Sequence, residues 1–388
     1  MKVQNFEYYN PTKVVFGNGI YSKLKETIKS FYNGEKILIT YGGGSIKETG
    51  IYQEVMSALD GFEVHEFSGI EANPEYSTLM KAVKYIKEEK IGFVLAVGGG
   101  SVIDGTKFIV SAAKYNGEPW DVLQRKKGCS FDDAVPFGTV LTLPATGSEM
   151  NSGAVISKSD TKEKLTMGGP QGFPKFSFLD PKVVATLPKR QLSNGVIDAF
   201  MHTLEQYLTE PTWNFLQEKI AEGILSTLIE VGPKVVDEPK NEIYAANLMW
   251  CSTMALNGTL RAGVKYDWST HMIGHELTAL FGIDHARTLA IIAPEMFKSV
   301  IEEKREKLNQ LGQRVFGLSG NCAEETIQKL VGFFEELGVS TKLRSYIDDL
   351  GNAPDIIKDR FTERNWHKLG EHGKVTPMIA AEIVKASY

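Results

Sequence analysis

Apolar runs alternate with helical patterns over roughly the first 185 residues of the chain. Runs without polar alternation lie at Lys36–Tyr41, Phe93–Val97 and Val135–Leu143, and apolar residues recur at helical spacing between them. Strands of this kind are buried on both faces, and helices between them indicate parallel crossovers. The pattern predicts a doubly wound α/β domain over residues 1–185. Within it, Asn73-Pro74 is predicted to open a helix, with Asn73 as the N-cap.

After Asp180-Pro181 the strand-like runs disappear and helical patterns dominate. The clearest patterns cover residues 190–208, 214–229, 241–257, 268–280, 302–316 and 323–337. They predict an all-helical second domain over residues 186–388. The cleft between two such domains is where a small molecule is expected to bind.

Composition excludes several classes of function. The 388 residues carry 43 basic and 48 acidic side chains, and the net charge of −5 gives no basic surface for nucleic acid. No apolar run approaches the roughly 18 residues of a membrane helix, and the N-terminus lacks the apolar core of a signal peptide. Three distant cysteines form no CxxC pair, as expected in a reducing compartment. A cytoplasmic protein without nucleic-acid or membrane partners is therefore expected.

Two loops share one design, in which an apolar strand ends at Gly-Gly-Gly-Ser and a helix follows. They are Gly42-Gly43-Gly44-Ser45 and Gly98-Gly99-Gly100-Ser101. Glycine permits close approach of the backbone and positive φ angles, and the start of a helix offers N–H groups to phosphate. Neither loop is a GxGxxG or Walker motif, so tight turns without a ligand remain the alternative. Two such loops in one sheet favour a nucleotide-binding site.

The first loop also bears on the choice between NAD and NADP. Enzymes that prefer NAD often place a carboxylate against the ribose 2′-hydroxyl. After the strand at 36–41, no Asp or Glu occurs until Glu48. Gly42–Ser45 and Lys47 are candidates to accept a 2′-phosphate instead, although Lys47 also fits a solvated surface charge. The loop predicts a preference for NADP(H) over NAD(H).

The histidines form a second cluster, since four of the seven lie between residues 202 and 285. Asp198 and His202 are four residues apart in a helical pattern, as are His271 and His275, so each pair shares a helix face. His285 follows a short turn. Histidine with a carboxylate suits Fe, Zn or Mn. A metal site is predicted, with hydrogen-bonded core histidines as the alternative; the absence of HExxH gives no support to a zincin protease.

Taken together, these motifs resemble the iron-containing alcohol dehydrogenase family. The resemblance rests on Gly98–Lys107, Thr146–Glu149, Asp198-x3-His202 and His271-x3-His275-x9-His285, and it extends along essentially the whole chain. Thr40–Ser45 and Val183–His202 are most similar to the bacterial butanol dehydrogenase and NADPH-dependent aldehyde reductase branch. The resemblance implies a Rossmann-like N-terminal domain, an all-α C-terminal domain, an architecture like that of dehydroquinate synthase, and a homodimer.

The resemblance also implies roles for individual residues. The metal, Fe²⁺ or Zn²⁺, would be bound by Asp198, His202, His271 and His285. NAD-dependent members typically carry Asp at the position of Gly42, so this departure favours NADP. His275 would lie beside the metal, and we expect it to relay a proton. The residues expected to bind the cofactor are Gly42, Gly43, Gly44, Ser45, Asn73, Gly98, Gly99, Gly100, Ser101, Asp104, Thr142, Thr146, Ser148 and Lys164.

These residues predict reversible hydride transfer between NADP(H) and a primary alcohol or aldehyde, such as butanol or butyraldehyde, with the metal as Lewis acid. An NAD-preferring alcohol dehydrogenase is one alternative. A dehydroquinate synthase-like lyase would need a more basic pocket than Arg261, Lys265 and Arg287 provide. A metal-dependent hydrolase would not need the glycine loops. A regulatory protein without catalysis would not need the complete set of metal and cofactor positions.

Overall fold

Two compact units make up the computed structural model, which describes residues 3–211 and 213–388. The sheet unit contains residues 9–187 and 239–249, and the helical unit contains residues 3–8, 188–238 and 250–388. Residues 239–249 therefore belong with the sheet, although they follow it at a distance in the sequence.

The sheet unit contains one parallel sheet and one hairpin. Its strands are β1 (Lys13–Phe16), β2 (Lys36–Thr40), β3 (Glu63–Phe67), β4 (Phe93–Gly99), β5 (Phe137–Leu143), β6 (Ala154–Lys158), β7 (Glu163–Met167) and β8 (Phe176–Leu179). Six of them form the parallel sheet in the order β1-β8-β5-β4-β2-β3, and β6 pairs with β7 in an antiparallel hairpin. The predicted parallel α/β fold is confirmed.

Helices connect the parallel strands, as the alternating pattern predicts. They are α1 (Leu24–Lys29), α2 (Ser45–Glu48), α3 (Ile51–Ala58), α4 (Tyr76–Glu89), α5 (Gly100–Lys114) and α6 (Pro119–Leu123). Short 3-10 helices cover Ile20–Lys23, Ser148–Met150, Ser159–Thr161, Pro170–Gly172 and Pro181–Thr186. α4 buries Leu79, Val83 and Ile86 on one face and packs on α5.

The predicted start of α4 is wrong by a few residues. The helix begins at Tyr76 with Glu75 as its N-cap, so Asn73 lies outside it. The Asn73 side chain instead accepts a hydrogen bond of 3.0 Å from Lys164 Nζ. Asn73 thus belongs to the loop after β3, which is part of the edge where the parallel strands end.

Close packing explains the glycines of the second loop but not Gly43 or Gly44 of the first, where an added Cβ would meet nothing within 4 Å. Only Gly44 has a left-handed φ, of 110°, among the six glycines of 42–44 and 98–100. A Cβ at Gly98 would lie 2.5 Å from the Val102 side chain, and one at Gly100 would lie 2.4 Å from Thr146 Oγ1. The end of β4 and the start of α5 therefore pack too closely on their neighbours for any larger residue.

The β6–β7 hairpin was not anticipated from the sequence. Its strands have only five residues each, and Ala154, Ile156, Leu165 and Met167 are its buried apolar residues. Such a short alternation among polar residues is a weak signal. The hairpin packs on α5, so it covers the helix that follows the second glycine loop.

Helices dominate the chain after residue 188. They are α7 (Lys189–Tyr207), α8 (Phe215–Asp237), α9 (Glu242–Ala255), α10 (Ser269–Phe281), α11 (His285–Ser299), α12 (Ile301–Arg314), α13 (Ala323–Glu336), α14 (Ala353–Glu363) and α15 (Pro377–Ala386). α11 packs against α7, α10, α13 and α15. None of the helices in the described part of the chain combines the length and apolarity needed to cross a membrane.

Candidate active site

α7 presents three chemically active side chains on one face. Asp198, His202 and Glu205 are spaced by four and three residues, so successive helical turns place them in one row. Their relative exposures are 3%, 5% and 2%. A row of buried polar side chains needs partners inside the protein, and α10 supplies them for Glu205.

α10 and α11 bring three histidines to this row. α10 begins at Ser269, where Asp267 Oδ1 accepts a 2.8 Å hydrogen bond from the Ser269 N–H. His271 therefore lies in the first turn of α10 and His275 one turn later. Gly282, with a φ of 70°, ends α10, and His285 then opens α11.

The four predicted metal ligands lie together in the structure. One donor atom from each of Asp198, His202, His271 and His285 lies within 4.8 Å of all the others. Ligands on opposite sides of an ion bound at about 2.1 Å would be about 4.2 Å apart, so small side-chain adjustments suffice to coordinate an ion. The helical unit therefore assembles the donor set from α7, α10 and α11.

The surroundings of Asp198 show whether a cation fits among the four donors. Its Oδ1 is buried and accepts no hydrogen bond from the described residues. His202 Nε2 and His285 Nε2 lie 3.7 and 3.8 Å from this oxygen, beyond hydrogen-bond length. A buried carboxylate oxygen without a close partner is costly, and a divalent cation among the donors would satisfy it. Three imidazoles with one carboxylate suit Fe²⁺ or Zn²⁺.

His275 lies beside these donors. Its ring centroid is 4.9 Å from that of His285 and 6.2 Å from that of His271, and its exposure is 6%. It is outside the four-donor group, as the resemblance implied. Trp268 stands on another side, with its ring 5.1 Å from His271 and nearly perpendicular to it.

Glu205 is a functional candidate that none of the sequence motifs indicated. Its carboxylate is hydrogen-bonded to Nδ1 of His271 and accepts a second hydrogen bond of 2.8 Å from the Thr270 N–H. Burial and the nearby Asp267 raise the pKa of Glu205, whereas the Thr270 N–H acts in the opposite direction. Its spacing from His202 was the available signal, because a third buried polar residue continues the same helix face.

A buried ionic cluster supports the start of α10. Lys304 Nζ lies 3.0 Å from Asp267 Oδ2 and 2.9 Å from Glu371 Oε1, and the three side chains are 1–6% exposed. Burial and the neighbouring Asp267 raise the pKa of Glu371 to about 7. Burial opposes ionisation of Asp267, but Lys304 and hydrogen bonds to Glu371 and Ser269 lower its pKa to about 2. The cluster thus keeps Asp267 charged where it holds the helix N-terminus.

In the sheet unit, the Asp104 carboxylate is hydrogen-bonded to other residues of the protein. Its carboxylate accepts hydrogen bonds from Ser148 Oγ and from the Val155 N–H, which joins α5 to the turn after β5 and to the hairpin. Lys107, which is fully buried, donates to Ser148 Oγ at 2.8 Å. Burial lowers the pKa of Lys107 to about 8. Both residues therefore fix Ser148 in place.

The other predicted cofactor residues lie at or near the ends of the parallel strands. Thr146 Oγ1 accepts a hydrogen bond from the Ser148 N–H at 3.1 Å, and Ser101 Oγ donates to the Ala72 carbonyl. Thr142 lies in β5, one residue before its end. Together with Asn73 and Lys164, these groups occupy the edge of the sheet where open α/β folds bind ligands.

A positively charged side chain, Lys47, follows the first glycine loop in the sequence. Lys47 Nζ is 3.5 Å from Glu66 Oε2 and lies over the rings of Tyr41 and Tyr52 at 5.2 and 4.6 Å. Both tyrosine hydroxyls donate to Glu66 at 2.7 Å. The Lys47 side chain is 47% exposed, so its ammonium group is held near the loop but remains in contact with solvent.

A parallel sheet with glycine-rich strand ends and a helical unit with a histidine cluster are together typical of metal-containing dehydrogenases. The family described as iron-containing alcohol dehydrogenase matches residues 11–181, and its C-terminal counterpart matches residues 193–360. The chain belongs to the iron-containing alcohol dehydrogenase family and is an alcohol or aldehyde oxidoreductase. The resemblance inferred from the motifs is confirmed, and the lyase, hydrolase and regulatory alternatives are not supported.

Individual relatives are similar over nearly the full length. The NADPH-dependent aldehyde reductase YqhD of Escherichia coli is 48% identical over 99% of this chain and 100% of its own. A probable NADH-dependent butanol dehydrogenase of Bacillus subtilis is 44% identical with the same coverage. The crystal structure of E. coli YqhD superposes with a TM-score of 0.96, at 46% identity, over 100% of this chain and 99% of that one.

Proposed function

We propose that the protein interconverts primary aldehydes and alcohols with NADP(H) and a divalent metal ion, Fe²⁺ or Zn²⁺. The observation that carries the proposal is the convergence of Asp198, His202, His271 and His285 from three helices onto one point. The buried oxygen of Asp198 needs a cation there, and the family supplies the reaction class.

The ion would be held by these four residues, and when bound it supplies a Lewis acid that polarises a carbonyl group. The protein's own contribution is to keep the site dry and fixed. The side chains of Asp198, His202 and His271 are 5–7% exposed, whereas that of His285 is 22% exposed. A small aldehyde would therefore approach the ion from the side of His285.

NADP(H) would be bound by the sheet unit and supplies or accepts the hydride. The N–H groups at the start of α5, after Gly98–Gly100, are suited to the pyrophosphate. Asn73, Lys164 and the Thr142–Ser148 segment offer polar groups to the rest of the cofactor. Asp104 would act indirectly, through its hydrogen bond with Ser148.

His275 would move the proton that balances the hydride. Reduction of an aldehyde consumes one hydride and one proton, and oxidation of the alcohol releases both. His275 is a buried imidazole whose ring lies 4.9 Å from the most exposed metal ligand, His285. An imidazole is suited to accept and donate a proton near neutral pH.

A preference for NADP(H) over NAD(H) follows from the first glycine loop. No carboxylate stands at Gly42, and the Lys47 ammonium lies close by, above Tyr41 and Tyr52. The names of the relatives point both ways, since YqhD is NADPH-dependent and the B. subtilis relative is named NADH-dependent. The residues of this loop therefore carry the cofactor preference.

Gly42→Asp is expected to weaken NADPH binding by about fivefold or more and to leave NADH binding less affected. The new carboxylate would face the 2′-phosphate, and two charges a few ångströms apart near a protein surface repel by about 1–4 kcal/mol. The dissociation constants of both cofactors, measured by nicotinamide fluorescence, check this expectation.

Gly42→Ala is the matched control for the size of the new side chain. A Cβ at Gly42 would lie 3.2 Å from the Ile70 carbonyl, so part of any loss is steric. The loop interpretation requires Gly42→Asp to bind NADPH more weakly than Gly42→Ala. Equal affinity of the two variants for NADPH would refute it.

The central experiment is an aldehyde panel assayed with NADPH and NADH on protein reconstituted separately with Fe²⁺ and Zn²⁺. We expect turnover of short-chain aldehydes such as butyraldehyde, a larger kcat/KM with NADPH, and no turnover after metal removal. Activity that survives complete removal of the metal would contradict the proposal.

We also propose a homodimer in a reducing, cytoplasmic compartment. β1 is the terminal strand of the six-stranded sheet, and Tyr9 and Phe16 nearby are 62% and 40% exposed, so a second copy of the chain would cover apolar surface there. Cys129, Cys251 and Cys322 are all free thiols, which supports the reducing compartment.

A further inference from the structure

We propose that Glu205 is a positioning residue that holds the imidazole of His271 in the orientation and tautomer needed to bind the metal ion. The inference rests on the proposed metal site and assigns a role to a residue outside the four ligands. Glu205 is 2% exposed, and its two carboxylate oxygens are engaged by two neighbouring residues of α10, Thr270 and His271.

The two ring nitrogens of His271 have different partners. The donor atom near the other ligands is Nε2, because Nδ1 is bonded to Glu205. A neutral imidazole can bind a cation through Nε2 only if Nδ1 carries the proton. A carboxylate that accepts from Nδ1–H selects this tautomer, as hydrogen-bonding partners of ligand histidines generally do.

The charge balance of the buried site favours the same role. A divalent ion held by Asp198 and three neutral imidazoles leaves one positive charge that is nearly inaccessible to water. Buried charges need compensation, and Glu205 is placed to supply it through the ring of His271. The nearby carboxylate of Asp267 is already paired with Lys304.

Glu205 also links the two helices that supply three of the four ligands. Its carboxylate holds the start of α10 through the Thr270 N–H, at 2.8 Å, and its carbonyl accepts a 3.1 Å hydrogen bond from the Asp267 N–H. Asp198 and His202 stand on the same face of α7. Glu205 thus fixes the position of His271 relative to the two ligands on its own helix.

Glu205→Gln tests the role with little change in volume. One carboxylate oxygen becomes an NH₂ group, so either Thr270 N–H loses its acceptor or His271 Nδ1 faces a donor. The second arrangement favours a proton on Nε2, which blocks metal binding. We expect the dissociation constant for Zn²⁺, measured by competition with a chromophoric chelator, to rise about 10–100-fold. The visible absorption bands of the Co²⁺-loaded variant should shift or weaken, and Glu205→Asp should recover part of the affinity.

Glu276→Gln is the matched control. Glu276 is also 2% exposed and lies on α10, but its carboxylate binds Arg360 and Arg364 rather than a ligand. This control should lower stability without weakening Zn²⁺ binding. The inference is overturned if Glu205→Gln binds Zn²⁺ within twofold of the unsubstituted protein with an unchanged Co²⁺ spectrum. It is also overturned if Glu276→Gln loses as much metal affinity.

The same titrations separate this inference from the proposed metal site. If the unsubstituted protein binds Zn²⁺ no better than the His271→Ala variant, the metal site itself fails, and the role of Glu205 fails with it. If His271→Ala loses binding while Glu205→Gln retains it, only the positioning role is refuted.

Discussion

His271→Ala is expected to abolish metal retention and turnover together while leaving NADPH affinity largely intact. His271 supplies one of the four donors, and the loss of a hydrogen-bonding partner of a ligand histidine alone typically weakens binding 10–100-fold. Loss of the ligand itself should therefore weaken Zn²⁺ binding by more than about 100-fold. Metal content after dialysis, aldehyde turnover and NADPH fluorescence measure the three quantities on one preparation.

His275→Ala is the control that distinguishes loss of a metal ligand from loss of a neighbouring histidine. His275 lies on the same helix, one turn after His271, and is equally buried, but it is outside the donor group. We expect this variant to retain its metal and to lose turnover, because the substitution removes only the proposed proton relay. Retention of both metal and activity by His271→Ala would show that the ligand assignment is wrong.

The grouping of the candidate metal ligands was partly predictable because helix geometry converts spacing into position. Asp198 and His202 are four residues apart on α7, and this separation places both side chains on one face whatever the helix packs against. The position of His285 could not be derived in this way, because it depends on how α11 packs against α7 and α10. It came from the family resemblance.

α11 is a helix that the hydrophobic pattern of the sequence does not predict. The run Leu289–Ala293 is apolar without interruption, and all five residues are buried. A helical stretch that is buried all round lacks the polar face that gives a period of 3.6, and residues 288–294 of α11 are all buried. Pro294 within the helix further obscures the pattern. The helix was therefore absent from the patterns read from the sequence, although it begins with a predicted ligand.

The positions of the two glycine loops were predicted correctly, but the structure changes the explanation of why glycine is needed there. Their position at the ends of β2 and β4 follows from the apolar runs before them. In the second loop, however, Gly98 and Gly100 are required by close packing, whereas Gly44 of the first loop has a left-handed φ and open space around it. Contacts such as that of Gly100 with Thr146 join residues far apart in the sequence, and no local pattern contains them.

Lys304→Met is expected to lower the free energy of unfolding by about 3–5 kcal/mol, because it leaves two carboxylates without their cation in a buried place. Lys304 contacts both Asp267 and Glu371, and its side chain is 3% exposed. Denaturant titration followed by circular dichroism measures the change. Lys298→Met is the control, since Lys298 pairs with Glu295 at a side-chain exposure of 56% and should contribute less than about 1 kcal/mol.

The effect of Lys304→Met should also depend on pH, in a direction set by Glu371. Burial and Asp267 raise the pKa of Glu371 from 4.5 to about 7, so its contribution to stability is full below pH 4.5 and is lost as the pH rises through 7. Lys304 offsets that loss by pairing with the ionised carboxylate. His372 is a second basic group beside it, with Nε2 3.5 Å from Glu371 Oε1. The penalty of the substitution should therefore be larger at pH 8 than at pH 5. A penalty that is equal at the two pH values, or one no larger than that of Lys298→Met, would show that the cluster does not stabilise the start of α10 through its charges.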